Sequence, residues 1–163
     1  YTDHAFSRSL KYTLDQKGKE QKEEIVQFDW NESKVFYSNF GKPREPKEIP
    51  DHTFDPLASF YKLRSLDFES PGQDLFFPVT DGKKSFIQKG ELIRKERISL
   101  TAKTYDTYLV VPRADHFSGV FKKSKNPTVK VWLSADRYQV PVRIAIKVFI
   151  GSIVLEMTEF HPD

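Results

Sequence analysis

The chain has 163 residues and no cysteine, balances 26 Lys and Arg against 23 Asp and Glu for a formal charge of +3, and is rich in aromatics. Such a length sets a prior of a single β-rich domain over residues 1–163 with one sizeable core. The missing cysteine excludes disulfides, thiol catalysis and thiolate metal sites, and so small a basic surplus gives no ground for a nucleic-acid partner, which needs a concentrated basic face.

No apolar run approaches the ~20 residues of a membrane span, so none is expected in this chain. Residue 1 is Tyr and not Met. Upstream sequence is therefore expected to have been removed, and a lost signal peptide or lipid anchor fits that start.

In chain order, Phe6, Arg8, Leu10, Tyr12 and Leu14 alternate with Ser7, Ser9, Lys11, Thr13 and Asp15, the period of a half-buried strand. The charged turn Gln16–Glu20 follows, with Gly18 free to take a positive φ. Strands are predicted over Lys22–Trp30 and Lys34–Phe40, joined at Asn31-Glu32-Ser33 into a meander. The proline-rich stretch Gly41–Asp51 reads as a surface connection, with a lid over a pocket as the alternative.

Asp55 is a good N-cap and Pro56 suits the first helical position, predicting a helix from Pro56 to about Leu66. Leu57, Phe60, Tyr61 and Arg64 share one face of it, which should lie against a sheet. Beyond it, Asp74–Thr80 and Lys84–Gln88 flank Asp81-Gly82, a short-hairpin signal. Gly90 marks a bend, and Glu91–Ser99 and Thr104–Val111 are two further strands. The basic stretch Lys122-Lys123-Ser124-Lys125 leads into a last meander of Val129–Leu133, Val142–Val148 and Ile153–Met157, with Pro141 tolerated at a strand end. The fold class is all-β antiparallel with one short helix. An open barrel or strongly curved sheet is expected, with the helix packed on its concave side.

Little of this looks like catalysis. No nucleotide-type glycine loop and no G-x-S-x-G elbow occur, and His4, His52, His116 and His161 stand apart, so no cofactor and no metal are expected. Asp29, Asp55, Asp81 and Asp136 sit at helix or hairpin starts, where aspartate bonds nearby backbone N–H groups. Asp106 and Glu156 read as solvent-facing strand partners of lysines. Arg64, on the helix face, either braces the helix end or binds an anion, since a buried arginine must be paired. Arg143 belongs to a solvated outer face or to the polar lining of a cavity. Trp132 either seals a second core on the far face or is an exposed anchor. The cluster Lys122–Lys125 is a solvated turn or a patch for anionic headgroups or polysaccharide.

Four segments carry a family resemblance. Phe54–Arg64 (FDPLASFYKLR) resembles the "DPLSxLYxLR" segment of the bacterial exported family known as domain of unknown function 3108. Val79–Lys84 resembles its "DGKK" hairpin and Thr104–Pro112 its "GTFxTxxVxP" strand. Trp132–Asp136, Pro141–Ile144 and Gly151–Ile153 resemble its "WLSxD…PVRI…GSI" ending. Lys103 departs from the pattern, which has glycine there, and by this resemblance the chain is expected to lack the family's first strands. A fainter, fold-level similarity reaches the periplasmic lipoprotein carriers, through the "W-x-x-D-x-x-x-x-P-x-R" hairpin and Phe28-Asp29-Trp30…Val35-Phe36-Tyr37. Fold alone does not imply function.

The resemblance implies a non-enzymatic module in the periplasm of a Gram-negative envelope, anchored to the outer membrane if the removed sequence carried a lipid. Its expected ligand is a lipid, acyl chain or envelope glycan, met by Phe60, Tyr61, Arg64, Trp132 and Arg143. The alternative is an assembly protein that docks on another envelope protein through sheet edges or the Trp132 face. A hydrolase of envelope polymers comes third.

Overall fold

The structure, a computed structural model, describes residues 1–2, 7–18, 21–101, 103–113, 128–148 and 151–161. In chain order they form β1 (Lys11–Gln16), β2 (Lys22–Asp29), β3 (Lys34–Asn39), β4 (Lys42–Pro43), β5 (Lys47–Glu48), α1 (Pro56–Leu63), β6 (Asp74–Thr80), β7 (Ser85–Ser99), β8 (Thr104–Pro112), β9 (Thr128–Ser134), β10 (Pro141–Val148) and β11 (Gly151–Glu156). The chain is all-β with one short helix, its strands lie in two antiparallel sheets, and neither sheet closes into a barrel among the described residues. The basic cluster Lys122–Lys125 and the histidines His4 and His116 lie outside the described residues. By packing, the chain divides into one unit of Tyr1–Leu63 and Phe77–Ile87 and another of Arg64–Phe76 and Gln88–Asp163.

The first unit holds the sheet ordered β1-β2-β3-β4, with β5 also on β3. Its register lines up Tyr12, Val26 and Tyr37 across three strands. These residues face one side and, with Val35 and Ile49, make a core onto which Phe28 and Trp30 pack. Val26 and Val35 are 0% and 1% exposed, each worth roughly 1.5–3 kcal/mol of burial. β1 begins at Lys11, later than the alternation from Phe6 predicts: the Ser9 N–H goes to the Thr53 carbonyl and its hydroxyl to Asp55. The 41–51 connection is pinned to β3 as β4 and β5, with Ile49 buried, so it is a surface connection and not a lid.

Asp55 caps α1 as expected: its Oδ1 accepts from the Leu57 and Ala58 N–H groups at 2.9 and 3.0 Å. The helix stops at Leu63 instead of about Leu66, and its inward side also differs from the expected one. Ala58 and Leu63 are buried, whereas Leu57 is 59% and Tyr61 47% exposed. Reciprocal bonds between Ser9 and Asp55, 2.7 and 2.8 Å, pin the first turn and set that rotation.

The second sheet is ordered β11-β10-β9-β8-β7-β6, and the tip of its β6–β7 hairpin, Phe77–Ile87, counts with the first unit. β7 is one continuous strand through Gly90, where a bend between two strands is the sequence expectation. Gly90 is needed there for a different reason: a Cβ would meet the Pro112 Cα of β8 at 3.3 Å. The terminal meander β9-β10-β11 forms as predicted, with Pro141 as the first residue of β10. Val129, Val131, Leu133 and Val142 point into the core of this unit. β11 departs from its half-buried alternation, since Ile153, Val154 and Leu155 are 48, 53 and 55% exposed. Among the described residues it is the edge strand, paired with β10 alone.

Candidate functional site

In the first unit a cleft of about 260 Å³ opens between the middle of β1 and the first two turns of α1. Lys11, Tyr12 and Thr13 line it from the strand and Leu57, Ala58 and Tyr61 from the helix, with Asp55 between them and Tyr1 and Thr2 beside β1. Burial grades its depth: Asp55 and Ala58 are 2% and 6% exposed, and Leu57 and Tyr61 stand at the mouth. Backbone pairing holds the strand wall in register, Lys11–Thr13 against Ile25–Gln27 of β2. The Ser9–Asp55 bonds hold the helix wall.

The chemistry at the deep end is polar but quiet. Asp55 spends one carboxylate oxygen on two helix N–H groups and the other on the Ser9 hydroxyl. It is a structural acceptor with no lone oxygen for acid–base work. Burial, then the negative charges of Asp55 and Glu24, push the Tyr12 phenol above its ordinary pKa of 10.0. It therefore stays a neutral hydroxyl.

Of the five residues singled out in the sequence, Phe60 and Tyr61 belong to the first unit and Arg64, Trp132 and Arg143 to the second. Tyr61 lines the cleft, while Phe60 beside it is half-buried and packs edge-on against the Tyr61 ring at 6.4 Å. Arg64, one residue past the helix, braces the β9–β10 turn in the second unit: Nε donates to the Gln139 carbonyl and Nη2 to that of Tyr138, at 3.1 and 3.0 Å.

Trp132 and Arg143 are cross-strand partners in the second unit, the guanidinium 5.8 Å above the indole ring. The Trp132 Nε1–H donates to Glu96 at 2.8 Å, and Arg143 pairs with Glu156 at 2.6 Å. Leu109, opposite Trp132 on β8, is only 2% exposed. Sequence reasoning missed Tyr12, Lys11 and Thr13. Their alternation marked a strand, but no local signal shows that this strand faces the helix.

The other aspartates behave as turn acceptors. Asp29 accepts from Asn31 and Glu32, Asp81 from Lys83 and Lys84, and Asp136 from Tyr138 and Gln139. Among the described residues Asp106 and Glu156 pair with arginines, Arg97 and Arg143, where lysines are the sequence expectation. A second, larger hollow of about 640 Å³ lies at the end of the β1–β2 hairpin where Gln16 pairs with Lys22, and includes Asp15, Glu23 and Glu24. Asp15 and Glu23 are cross-strand neighbours and both exposed, while Glu24 is buried but paired with Lys83. A glycosidase needs one carboxyl kept protonated by a desolvated, unpaired setting, and none of the three has it. Among the described residues no group of three His, Asp or Glu is placed to hold a metal ion, and no helix is long and apolar enough to cross a membrane.

A family model described as protein of unknown function (DUF3108) matches residues 4–158. No curated protein and no solved structure matches the chain. The likeness to the lipoprotein carriers therefore rests on the two shared motifs alone.

Proposed function

The chain belongs to the DUF3108 family of proteins of unknown function, and from that premise we propose that it is a non-enzymatic binding module of the bacterial periplasm. Its ligand is a lipid, acyl chain or envelope glycan. The observation that carries this reading is the cleft between α1 and β1, where Tyr12, Leu57 and Tyr61 stand around a hollow of about 260 Å³. A helix packed tightly on a sheet would fill that space with side chains. Here the smallest side chain of the first turns, Ala58, faces it, and two larger ones stand aside at the mouth. Rigid walls, an aromatic rim and a carboxylate already committed to the helix suit holding a ligand better than changing it.

Native mass spectrometry on protein purified from a periplasmic extract tests this. A discrete added mass, lost on solvent extraction and absent from a Tyr61→Ala variant, is the expected result. A bare protein mass that does not change when envelope lipids or glycans are added would overturn it.

A docking role is the second reading, favoured by β11. Among the described residues that strand is the sheet edge, and it exposes Ile153, Val154 and Leu155. Specific retention of one envelope protein by the chain, lost in a Val154→Lys variant and unaffected by Tyr61→Ala, would favour this role over ligand binding.

A further inference from the structure

The two edges of the second sheet differ in kind. β6 carries Pro78, and Phe54 lies alongside it, its N–H donating to the Pro78 carbonyl and its carbonyl accepting from Thr80. A proline and a covering segment are two of the ways an edge is kept from pairing with another chain. β11, the other edge among the described residues, holds no proline and no lysine over Gly151–Glu156, and its register with β10 is unbroken. The Met157 N–H, which donates to the Val142 carbonyl at 2.9 Å, sets the phase of that ladder. Bonded and non-bonded pairs alternate along an antiparallel ladder. Ile153 and Leu155 therefore spend their backbone groups on β10, and Ser152, Val154 and Glu156 turn theirs away from it. Side chains alternate with the same period. On one face two apolar rows run to the edge, Val131–Ile144–Leu155 and Val129–Ile146–Ile153, buried on β9, half-buried on β10 and exposed on β11. On the other face Ser152 lies beside Lys147, and Glu156 pairs with Arg143.

We infer that the occupant of this edge is β11 of a second copy, paired antiparallel about a two-fold axis at Val154, which rests on the docking reading of β11 and commits it to one partner. A two-fold contact sets one surface against itself and must be self-complementary. In this register β11 is. Ser152 lies opposite the partner's Glu156, and Val154 opposite the partner's Val154, so the outward-turned N–H and C=O groups meet their counterparts. Leu155 lies opposite the partner's Ile153, which joins each apolar row to the other row of the second copy. Glu156 comes beside the partner's Ser152 and so toward the partner's Lys147, and the register opposes no like charges. A one-residue slip would set apolar faces against polar ones. Centring the axis on Glu156 would oppose two carboxylates, which is unfavourable.

A contact one six-residue strand long is small, and small interfaces are weak. Sedimentation velocity on the full chain, carried up to millimolar concentration, should show a dimer that builds with concentration. Val154→Lys opposes two ammonium groups at the axis and should abolish it. Val154 is 53% exposed, so that variant should keep its thermal midpoint. Ser152→Lys gains an opposite-charge pair with Glu156 on each side of the axis and should tighten the dimer roughly two- to thirtyfold. The chain has no cysteine, so Val154→Cys supplies a single thiol. Two such thiols meet at the axis with Cα atoms about 5.5 Å apart, within disulfide reach, and oxidation should link them. Ser152→Cys, whose thiols stand apart across the axis, should not link. A dimer indifferent to Val154→Lys, or linked equally through both cysteine variants, would overturn the pairing. A chain monomeric throughout would overturn the second copy. If that monomer still retains an envelope protein and loses it in Val154→Lys, the docking reading stands with another partner; if it retains none, both fall.

Discussion

Lys83 Nζ lies 2.7 Å from Glu24 Oε1, joining the tip of the β6–β7 hairpin to the second strand of the first sheet across 59 residues of sequence. Glu24 is nearly buried, its side chain 6% exposed, and Lys83 is 26% exposed. The ammonium also sits 5.2 Å from the centre of the Tyr37 ring, at the edge of the core. Two long polar side chains thus replace what would otherwise be an apolar contact between hairpin and sheet. Breaking such a pair costs more than never having made it, because one charge stays behind unpaired. Glu24→Ala should therefore lower stability by about 2–3 kcal/mol, below the usual range for a fully buried pair because Lys83 keeps some water. Urea unfolding measures this, and a Glu24→Leu/Lys83→Met double variant should recover most of the loss.

The same corner makes the protein sensitive to alkali. Burial opposes the Lys83 ammonium, but the hydrogen bond and charge of Glu24 more than offset it, and its pKa stands above the ordinary 10.5. Burial and Glu24 raise the Tyr37 phenol, and burial with Asp55 and Glu24 raises that of Tyr12, both above 10.0. In each case the folded state holds its proton more tightly than the unfolded one. The resulting stability is complete below the unfolded pKa and is lost as pH rises through the folded value. Unfolding midpoints should stay level on this account up to about pH 10 and then fall steeply, with a shallower fall in Glu24→Gln. Phenolate absorbance recorded along the same titration should show two tyrosines ionising late.

Gly82, at φ +80°, has Tyr37 Cβ and Cδ2 at 3.0 Å and Val26 Cγ2 at 3.1 Å from where a Cβ would stand. Both the backbone angle and the space demand glycine. Gly82→Ala should cost about 1–3 kcal/mol through left-handed strain and displacement of core side chains. A thermal midpoint unchanged from the parent would refute this.

Asp55 joins helix capping to a buried bond with Ser9. Asp55→Ala should lose about 1–2 kcal/mol for the cap alone and should also leave the Ser9 hydroxyl unpaired. Ser9→Ala spares the two bonds from Leu57 and Ala58 to Asp55, so its cost, about 1–3 kcal/mol, comes from the buried Asp55 N–H and carboxylate oxygen left unpaired. Hydrogen exchange at Leu57 and Ala58, accelerated in the first variant and little changed in the second, tells them apart.

Glu96 titrates below the ordinary carboxylate value, chiefly because the Trp132 indole N–H donates to it, with Arg94 adding a bond and a charge. A depressed folded pKa contributes stability above the unfolded pKa and loses it as pH falls through the folded value. Trp132→Phe should therefore flatten the acid limb of the stability curve below about pH 4.5. Urea midpoints measured from neutral pH downward decide this.

Much of the architecture was legible because it follows from local rules. The Asn31-Glu32-Ser33 turn marks β2 and β3, period-two alternation marks the last meander, and the four aspartates at turn and helix starts accept the backbone bonds that aspartate is favoured for. These features depend on neighbours a few residues away, so a sequence displays them. The misreadings have the opposite origin. Gly90 looks like a bend in sequence but is a point of close approach to Pro112, 22 residues further on. The α1 face was assigned from its spacing, whereas Ser9, 46 residues before Asp55, sets which side turns inward. β11 alternates like a half-buried strand, and only its place at the sheet edge leaves it exposed. Local pattern was enough for the class of fold, the family and the capping bonds of the four aspartates. Which walls meet in a cleft emerges on folding, because it depends on pairings between residues far apart in the chain.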